Sequence, residues 1–212
     1  MPRKKLKRLQ EVKSLPNVFD VKDENTEQQL RDYFGNLNPI VLEIGCGQGD
    51  YSIELAQLNP DKNFIGVDYK GARIYMGAAK TEELKLKNVA FLLSGAEKLS
   101  QIFIEEKISE IFIPFPDPYK SRKSFKRLID SKFLKIYDAI VNKDARVHLK
   151  TDNEEIFNHA VSVLNEKNYK IHFASEDLYS EFEPRLHQKI QTKYERKYLA
   201  EGKNIKYICF GW

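Results

Sequence analysis

Short, nearly uninterrupted apolar runs recur along this chain, and each is followed by a stretch in which apolar residues have helical spacing. The runs "PIVLEIG" and "ISEIFIPF" are two examples. Strands of a parallel sheet that are covered on both faces have this composition, because neither face meets water. The alternation predicts an α/β fold, with a doubly wound, Rossmann-like sheet of about seven strands and helices on both faces.

The predicted elements can be given by residue. The strands are expected at Ile40–Ile44, Asn63–Asp68, Val89–Ser94, Ile108–Phe115, Arg146–Lys150, Tyr169–Ala174 and Ile205–Phe210. The helices are expected at Tyr51–Leu58, Gly71–Leu86, Ala96–Glu105, Ser131–Val141 and Glu154–Glu166.

The 212 residues suit one medium-sized domain, which we expect at residues 26–212, after a basic and mobile tail at residues 1–25. The two cysteines, Cys46 and Cys209, lie far apart, so neither a disulfide framework nor a zinc site is indicated. The four histidines lack metal-binding spacing, and no metal is predicted. Without an apolar membrane span or signal peptide, we expect a cytoplasmic protein, either a monomer or a homodimer.

Positive charge is concentrated in three segments. "MPRKKLKRLQEVK" has six Lys or Arg against one Glu, "KSRKSFKR" at 120–127 has five without an acidic residue, and the stretch 185–203 has six against two. A single charge run is usually a solvated face, but three together favour a polyanionic partner.

A nucleoside-binding unit follows from the first strand. In "LEIGCGQGDYSIEL", Gly45, Gly47 and Gly49 open a helix and allow the backbone to turn tightly against a ligand. Nineteen residues after Gly49, the strand "FIGVD" ends at Asp68, which can accept hydrogen bonds from ribose hydroxyls. The acidic Glu43 before the glycines suits the cationic methionine end of S-adenosylmethionine better than a pyrophosphate, so a methyl donor is favoured over NAD.

A second unusual segment, "FIPFPDPYK" at 112–120, places three prolines around Asp117 at the end of a predicted strand. Prolines fix their own backbone and favour extended conformations in the residues before them, so we expect a stiff segment. The segment is either a rigid solvent turn or a support that holds Asp117 for function.

These motifs together resemble those of the bacterial tRNA (guanine-N7)-methyltransferase family, within the class I S-adenosylmethionine-dependent methyltransferases. "LEIGCGQG" and "IGVD" resemble motifs that many methyltransferases share, whereas "PFPDPYKSRKSFKR", "HLKTDNEEIF" and "TKYERK" resemble segments specific to this family. The similarity extends from about Val41 to the C-terminus. It implies methylation of N7 of a guanine in tRNA, at position 46 of the variable loop.

The resemblance also implies roles for single residues. Cofactor contacts are expected from Glu43, Gly45, Gly47, Asp68, Gly95, Ala96 and Asp117. Substrate contacts are expected from Lys120, Asp152, Thr192, Lys193, Tyr194 and Glu195. Asp117 is the expected catalytic residue. Where the family usually has Asp or Asn, this chain has Gly95, so contacts there must come from the backbone, Ser94 or Glu97.

Some alternatives remain open on the sequence alone. Asp152 could instead cap the helix that begins near Glu154. Lys150 is expected to serve phosphates, together with the basic run after Asp117. Two other functions compete with N7 methylation: methylation of an exocyclic amino group in another nucleic acid, and RNA binding without catalysis.

Overall fold

An eight-stranded sheet organises the molecule, in the strand order β1-β4-β3-β2-β5-β6-β8-β7. The computed structural model describes residues 3–105, 107–118, 128–181 and 183–212. The strands are β1 (Val18–Asp20), β2 (Ile40–Ile44), β3 (Asn63–Asp68), β4 (Val89–Leu93), β5 (Ile108–Pro114), β6 (Val141–Thr151), β7 (Lys170–Ser175) and β8 (Lys206–Gly211). Strands β1 to β6 pair in parallel, and β8 runs antiparallel to both of its neighbours.

Helices flank this sheet. They are α1 (Arg3–Glu11), α2 (Thr26–Phe34), α3 (Asp50–Leu58), α4 (Gly71–Glu83), α5 (Leu99–Ile102), α6 (Ser131–Ile140), α7 (Glu154–Glu166), α8 (Leu178–Glu181), α9 (Leu186–Lys189) and α10 (Lys193–Ala200). Short 3-10 turns occupy Val12–Ser14 and Ala96–Lys98. No helix in the described ranges is long and apolar enough to cross a membrane.

Strand β2 shows why the apolar runs are continuous. All five of its residues are buried, and alternate ones join different clusters. Ile40 and Leu42 pack in the core that contains helices α2, α6 and α7, whereas Val41 packs in the core that contains α3 and α4. A strand with a helical layer on each side buries both faces, so the doubly wound α/β prediction is confirmed.

The bounds of several elements agree with the sequence, and others differ. Strands β2 and β3 and helix α7 begin and end where they were predicted. The single helix expected at Ala96–Glu105 is instead a 3-10 turn followed by one helical turn. The helix expected to include Val141 ends at Ile140, and β6 begins at Val141.

The eighth strand lies in the segment that was expected to be a mobile tail. Val18–Asp20 pairs in parallel with β4, and Val12, before it, is only 2% exposed. Helix α1 packs against α4, where Leu9 and Val12 lie beside Gly71. Residues 3–25 are therefore built into the fold rather than lying outside a domain that starts at residue 26. A three-residue strand is too short to show a hydrophobic period, which is why the sequence did not predict it.

Candidate active site

The carboxyl ends of the parallel strands form one edge of the sheet, and the strand order reverses at β2. Strand β2 lies between β3 and β5, and Glu43 pairs with Phe112 of β5. In doubly wound sheets, ligands bind outside the carboxyl ends of the strands at such a reversal. At this edge, the glycine loop follows β2, Asp68 is the last residue of β3, and the Asp117 segment follows β5.

The glycine loop leaves open space at two of its three glycines. Gly45, Gly47 and Gly49 have φ values of 77°, 59° and 69°, a backbone conformation that favours glycine. A Cβ atom on Gly45 or Gly47 would meet nothing within 4 Å, whereas one on Gly49 would lie 2.4 Å from the Phe91 ring. Gly45 and Gly47 thus leave room for a ligand to approach the backbone, and Gly49 is required for packing.

Asp68 is already oriented by the loop that it faces. Its side chain is buried, with the residue 6% exposed, and its Oδ2 accepts a hydrogen bond from the Gly47 N–H at 3.0 Å. Its Oδ1 accepts from the Lys70 N–H at 2.8 Å. A carboxylate offers about four acceptor positions, so capacity remains for ligand hydroxyls.

Glu43 connects strand β2 to helix α3. It is 3% exposed, and its Oε2 accepts hydrogen bonds from the Ser52 N–H at 2.9 Å and the Ser52 hydroxyl at 2.5 Å. Burial raises the pKa of Glu43 to about 8, because the charged form loses its hydration. The carboxyl group is therefore largely protonated at neutral pH.

The end of β4 lies against the end of β3. The Ser94 N–H donates to the Asp68 carbonyl at 3.1 Å, and the Ser94 hydroxyl donates to the Gly95 carbonyl at 3.0 Å. Gly95 and Ala96, which were predicted to contact the cofactor, thus directly follow a residue bonded to the Asp68 backbone. They belong to the same continuous edge as the glycine loop.

The segment around Asp117 turns more sharply than the sequence predicted. Phe115 has a φ of 53°, so the extended conformation expected before Pro116 is wrong at this residue. The Phe115 N–H donates to the Lys150 carbonyl at 2.8 Å, which fixes the turn to strand β6. Such a conformation costs a bulky residue on the order of 1–3 kcal/mol and is found mainly at functional sites.

Beyond this turn, Asp117 is exposed. Its carboxylate makes no hydrogen bond or ion pair with other residues of the described ranges. It lies beside Pro116 at a small cavity that Ile156 and His159 of α7 also line. The carboxylate is therefore available to a ligand at the end of β5.

A buried ion pair connects β6 to the C-terminal segment. The Lys150 ammonium lies 2.6 Å from the Glu195 carboxylate, and the two side chains are 2% and 0% exposed. Lys150 also donates to the carbonyls of Gln188 and Ile190, at 2.8 and 3.1 Å. The prediction that Lys150 contacts phosphates is therefore wrong, because its charge is buried and fully engaged. The position of Lys150 directly after Leu149, in the predicted strand Arg146–Lys150, was the one signal in the sequence for this role.

Glu195 keeps one free acceptor. Tyr179 donates to its Oε1 at 2.6 Å, whereas Oε2 is buried without a hydrogen-bond partner among the residues that the structure describes. Burial raises the pKa of Glu195 and lowers that of Lys150, and each charge opposes the shift of its partner. An unpaired buried acceptor is costly. Because Glu195 is 0% exposed, the structure does not present this carboxylate to a substrate, and the residue instead holds the C-terminal segment to β6.

The other predicted substrate residues divide into exposed and structural groups. Lys193 and Tyr194 are exposed, Tyr194 by 54%, whereas Thr192 caps α10 by accepting from the Glu195 N–H. Asp152 accepts a hydrogen bond from Lys203 at 2.9 Å. The alternative that Asp152 caps α7 is wrong, because Asn153 accepts from the Ile156 N–H in that position.

Two further expectations concern the basic run after Asp117 and metal binding. Lys120 and the basic run to residue 127 lie outside the described residues. Within the part of the chain that is described, no three His, Cys, Asp or Glu side chains are grouped so that they could hold a metal ion.

Comparison with known proteins identifies the family of this chain. Residues 37–208 match a protein family described as "Putative methyltransferase". The chain is 43% identical, over 196 residues, to the tRNA (guanine-N(7)-)-methyltransferase of Christiangramia forsetii. The aligned region covers 92% of this chain and 86% of that protein. It is 41% identical, over 212 aligned positions, to the protein of the same name from Porphyromonas gingivalis, and this alignment covers 94% of this chain and 86% of that protein.

Among solved structures, the 16S rRNA methyltransferase KamB is similar in fold. The TM-score is 0.66, at 16% sequence identity, with 87% of this chain and 92% of that chain covered. The similarity of fold, the matched family and the identity to curated relatives over most of the chain agree. The chain belongs to the tRNA (guanine-N(7)-)-methyltransferase family.

Proposed function

We propose that this protein transfers a methyl group from S-adenosylmethionine to N7 of a guanine in tRNA, at position 46 of the variable loop, and forms 7-methylguanosine. One observation carries the proposal. The open glycine loop and the oriented Asp68 lie near the end of β2, which pairs with β5. Asp117 is exposed and follows the sharp turn at the end of β5. In a chain of this family, these features support a nucleoside site beside an available carboxylate.

The residues at the ends of β2, β3 and β4 fit the cofactor. Gly45 and Gly47 leave space that any Cβ would reduce, and Asp68 retains acceptor positions for two ribose hydroxyls. Glu43 precedes this loop in sequence and can hold a cationic group once it loses its proton. When bound, S-adenosylmethionine supplies a methyl group that its sulfonium already activates.

The acceptor requires orientation rather than deprotonation. Guanine N7 has an available lone pair and no proton to lose, so no general base is needed at that atom. The protein's task is to align the acceptor nitrogen with the methyl group, and orientation of this kind supplies several kcal/mol. Methylation places positive charge on the purine. The Asp117 carboxylate, carried by the segment after the turn at Phe115, can accept from N1–H and N2–H and offset that charge.

The C-terminal segment would hold the rest of the substrate. Exposed Lys193 can meet a phosphate and exposed Tyr194 a base, while Thr192 and the buried Lys150–Glu195 pair fix their position. The Asp152 carboxylate is the acceptor that could hold the guanine. We propose further contacts from Lys120 and the basic run after it. The proposed site of action is the cytoplasm, as a monomer or homodimer.

Product analysis tests the proposal. The protein is incubated with labelled S-adenosylmethionine and unmodified tRNA, and the RNA is digested to nucleosides. The label is expected in 7-methylguanosine, and a tRNA with adenine at position 46 should accept almost none. Label in an N2-methylated guanine or an N6-methylated adenine would show that the protein methylates an exocyclic amino group rather than N7. Absence of transfer together with retained tRNA binding would favour a non-catalytic RNA-binding protein.

A further inference from the structure

The backbone conformation of Gly95, at the end of β4, does not require glycine. Its φ of −83° and ψ of 151° lie in the extended region that every residue adopts. The reason for glycine is space. A Cβ atom there would lie 2.4 Å from both carboxylate oxygens of Glu97 and 2.6 Å from its Cδ. The Glu97 carboxylate therefore occupies the position that a side chain at residue 95 would take.

This carboxylate lies where one end of a bound nucleoside would reach. Asp68 on β3 is the proposed ribose contact, and the glycine loop on its β2 side is open. The opposite side of Asp68 is the end of β4, since the Ser94 N–H donates to the Asp68 carbonyl and the sheet order is β4-β3-β2. If the amino acid end of the cofactor lies over the glycine loop, its base would extend towards residues 94–97.

Among the groups at this position, Glu97 is the available acceptor. The Ser94 hydroxyl already donates to the Gly95 carbonyl, and that carbonyl also accepts from the Lys98 N–H. Glu97 is exposed, and its carboxylate has no hydrogen bond or ion pair with any residue for which the structure gives a position. An ionised carboxylate only accepts hydrogen bonds, and the exocyclic amino group is the donor on the adenine edge.

We propose that the Glu97 carboxylate accepts a hydrogen bond from the exocyclic amino group of the cofactor's adenine, and so selects an aminopurine nucleoside. The inference rests on the proposed use of S-adenosylmethionine. Gly95 serves this contact by leaving the side-chain space at its own position to Glu97.

Binding of two nucleosides tests the inference without measuring catalysis. S-adenosylhomocysteine carries the amino group, whereas S-inosylhomocysteine has a carbonyl oxygen in its place. Calorimetric titration of the unsubstituted protein should give an affinity at least about ten-fold higher for S-adenosylhomocysteine, because a hydrogen bond to a charged group is gained and a repulsion avoided. Glu97→Ala should bring this ratio close to one. In Glu97→Gln, the amide can rotate to donate to the carbonyl, so the ratio should also fall.

Two further variants separate recognition from structure. Glu83→Ala removes an exposed carboxylate at the far end of α4 and should leave the ratio unchanged. Gly95→Ala should lower the ratio, because its Cβ displaces the flexible Glu97 side chain. The unfolding temperature without ligand should be unchanged in Glu97→Ala. If Glu97→Ala keeps the original ratio, the inference is overturned. If the unsubstituted protein binds neither compound, the proposed cofactor itself is wrong, and the inference is overturned with it.

Discussion

Two halves of one sheet edge are constructed in different ways. The cofactor half comprises the ends of β2, β3 and β4. Its hydrogen bonds join residues that are relatively close in sequence, such as Gly47 and Asp68, which are 21 positions apart. The substrate half comprises the ends of β5 and β6 with residues 178–181 and 183–203. Its contacts join residues farther apart, such as Asp152 and Lys203, 51 positions from each other.

The kind of interaction differs as well. The cofactor half is held by backbone N–H groups that donate to Asp68 and Ser52 groups that donate to Glu43. The substrate half depends on a fully buried pair of opposite charges, Lys150 and Glu195. Removing one partner of such a pair leaves the other charge buried and unpaired. One substitution should therefore destabilise the substrate half strongly, whereas each single substitution in the cofactor half should have a smaller effect on stability.

The largest expected effect is on stability, from Lys150→Met. The substitution retains an apolar stem and leaves Glu195 without its counter-charge, so the free energy of unfolding at pH 8 should fall by about 3–5 kcal/mol. The loss should shrink at pH 5, because a protonated Glu195 needs no partner. Urea denaturation measures both values.

The matched control for this variant is Lys197→Met, which breaks a pair with Glu201 between side chains that are 66% and 44% exposed. It should cost less than about 0.5 kcal/mol. A loss in Lys150→Met no larger than in this control would show that the buried pair does not hold the substrate half together.

The next effect is on the chemical step, from Asp117→Asn. The amide retains shape and some hydrogen bonding but lacks the charge that offsets the purine cation. Single-turnover methyl transfer at saturating cofactor and tRNA should fall by one to three orders of magnitude, about 1.4–4 kcal/mol.

The control for Asp117 is Asp144→Asn, an exposed residue near the amino end of β6, which should react at the original rate. Full rescue of Asp117→Asn by excess cofactor would assign Asp117 to cofactor binding. An unchanged rate would make the proline-rich segment a simple turn.

A smaller effect is expected from Asp68→Ala on cofactor affinity. Loss of charge-assisted hydrogen bonds to the ribose should cost about 1.5–3 kcal/mol in binding of S-adenosylhomocysteine by calorimetry. Asp61→Ala, at the exposed turn before the same strand, should bind as before. Equal affinities of the two variants would remove Asp68 from the site.

The smallest effect is a proton linkage at Glu43. Its pKa of about 8 keeps it mostly protonated at pH 7, and a cationic ligand group nearby would favour the carboxylate. Binding at pH 7 should therefore release up to about one proton, and affinity should rise with pH until about pH 8. Calorimetry in two buffers of different ionisation enthalpy counts the protons. Glu43→Gln should release none, and release of none by the unsubstituted protein would mean that Glu43 stays neutral.

The cofactor half was largely predictable from the sequence. Strands β2 and β3, the loop between β2 and α3, and the position of Asp68 depend on local patterns: buried apolar runs, glycines with positive φ and a strand that ends in an acid. Local patterns determine local backbone, so the sequence alone predicts which element carries each of these residues.

The substrate half was less predictable because its contacts depend on distant segments. No residue near Lys150 in sequence indicates that Glu195 is its partner. The left-handed turn at Phe115 occurs where its N–H donates to the Lys150 carbonyl of β6, a contact that the prolines around it do not predict. Likewise, the space at Gly95 is filled by a side chain whose position only the folded turn defines.

The division of the edge into two halves is tested most directly by a crossed binding measurement. Affinities for S-adenosylhomocysteine and for unmodified tRNA are determined for Asp68→Ala and Asp152→Ala. The account predicts that Asp68→Ala weakens only the nucleoside, and that Asp152→Ala weakens only the tRNA, by about ten-fold. If either variant weakens both ligands to the same extent, the two halves do not bind independently, and the account is contradicted.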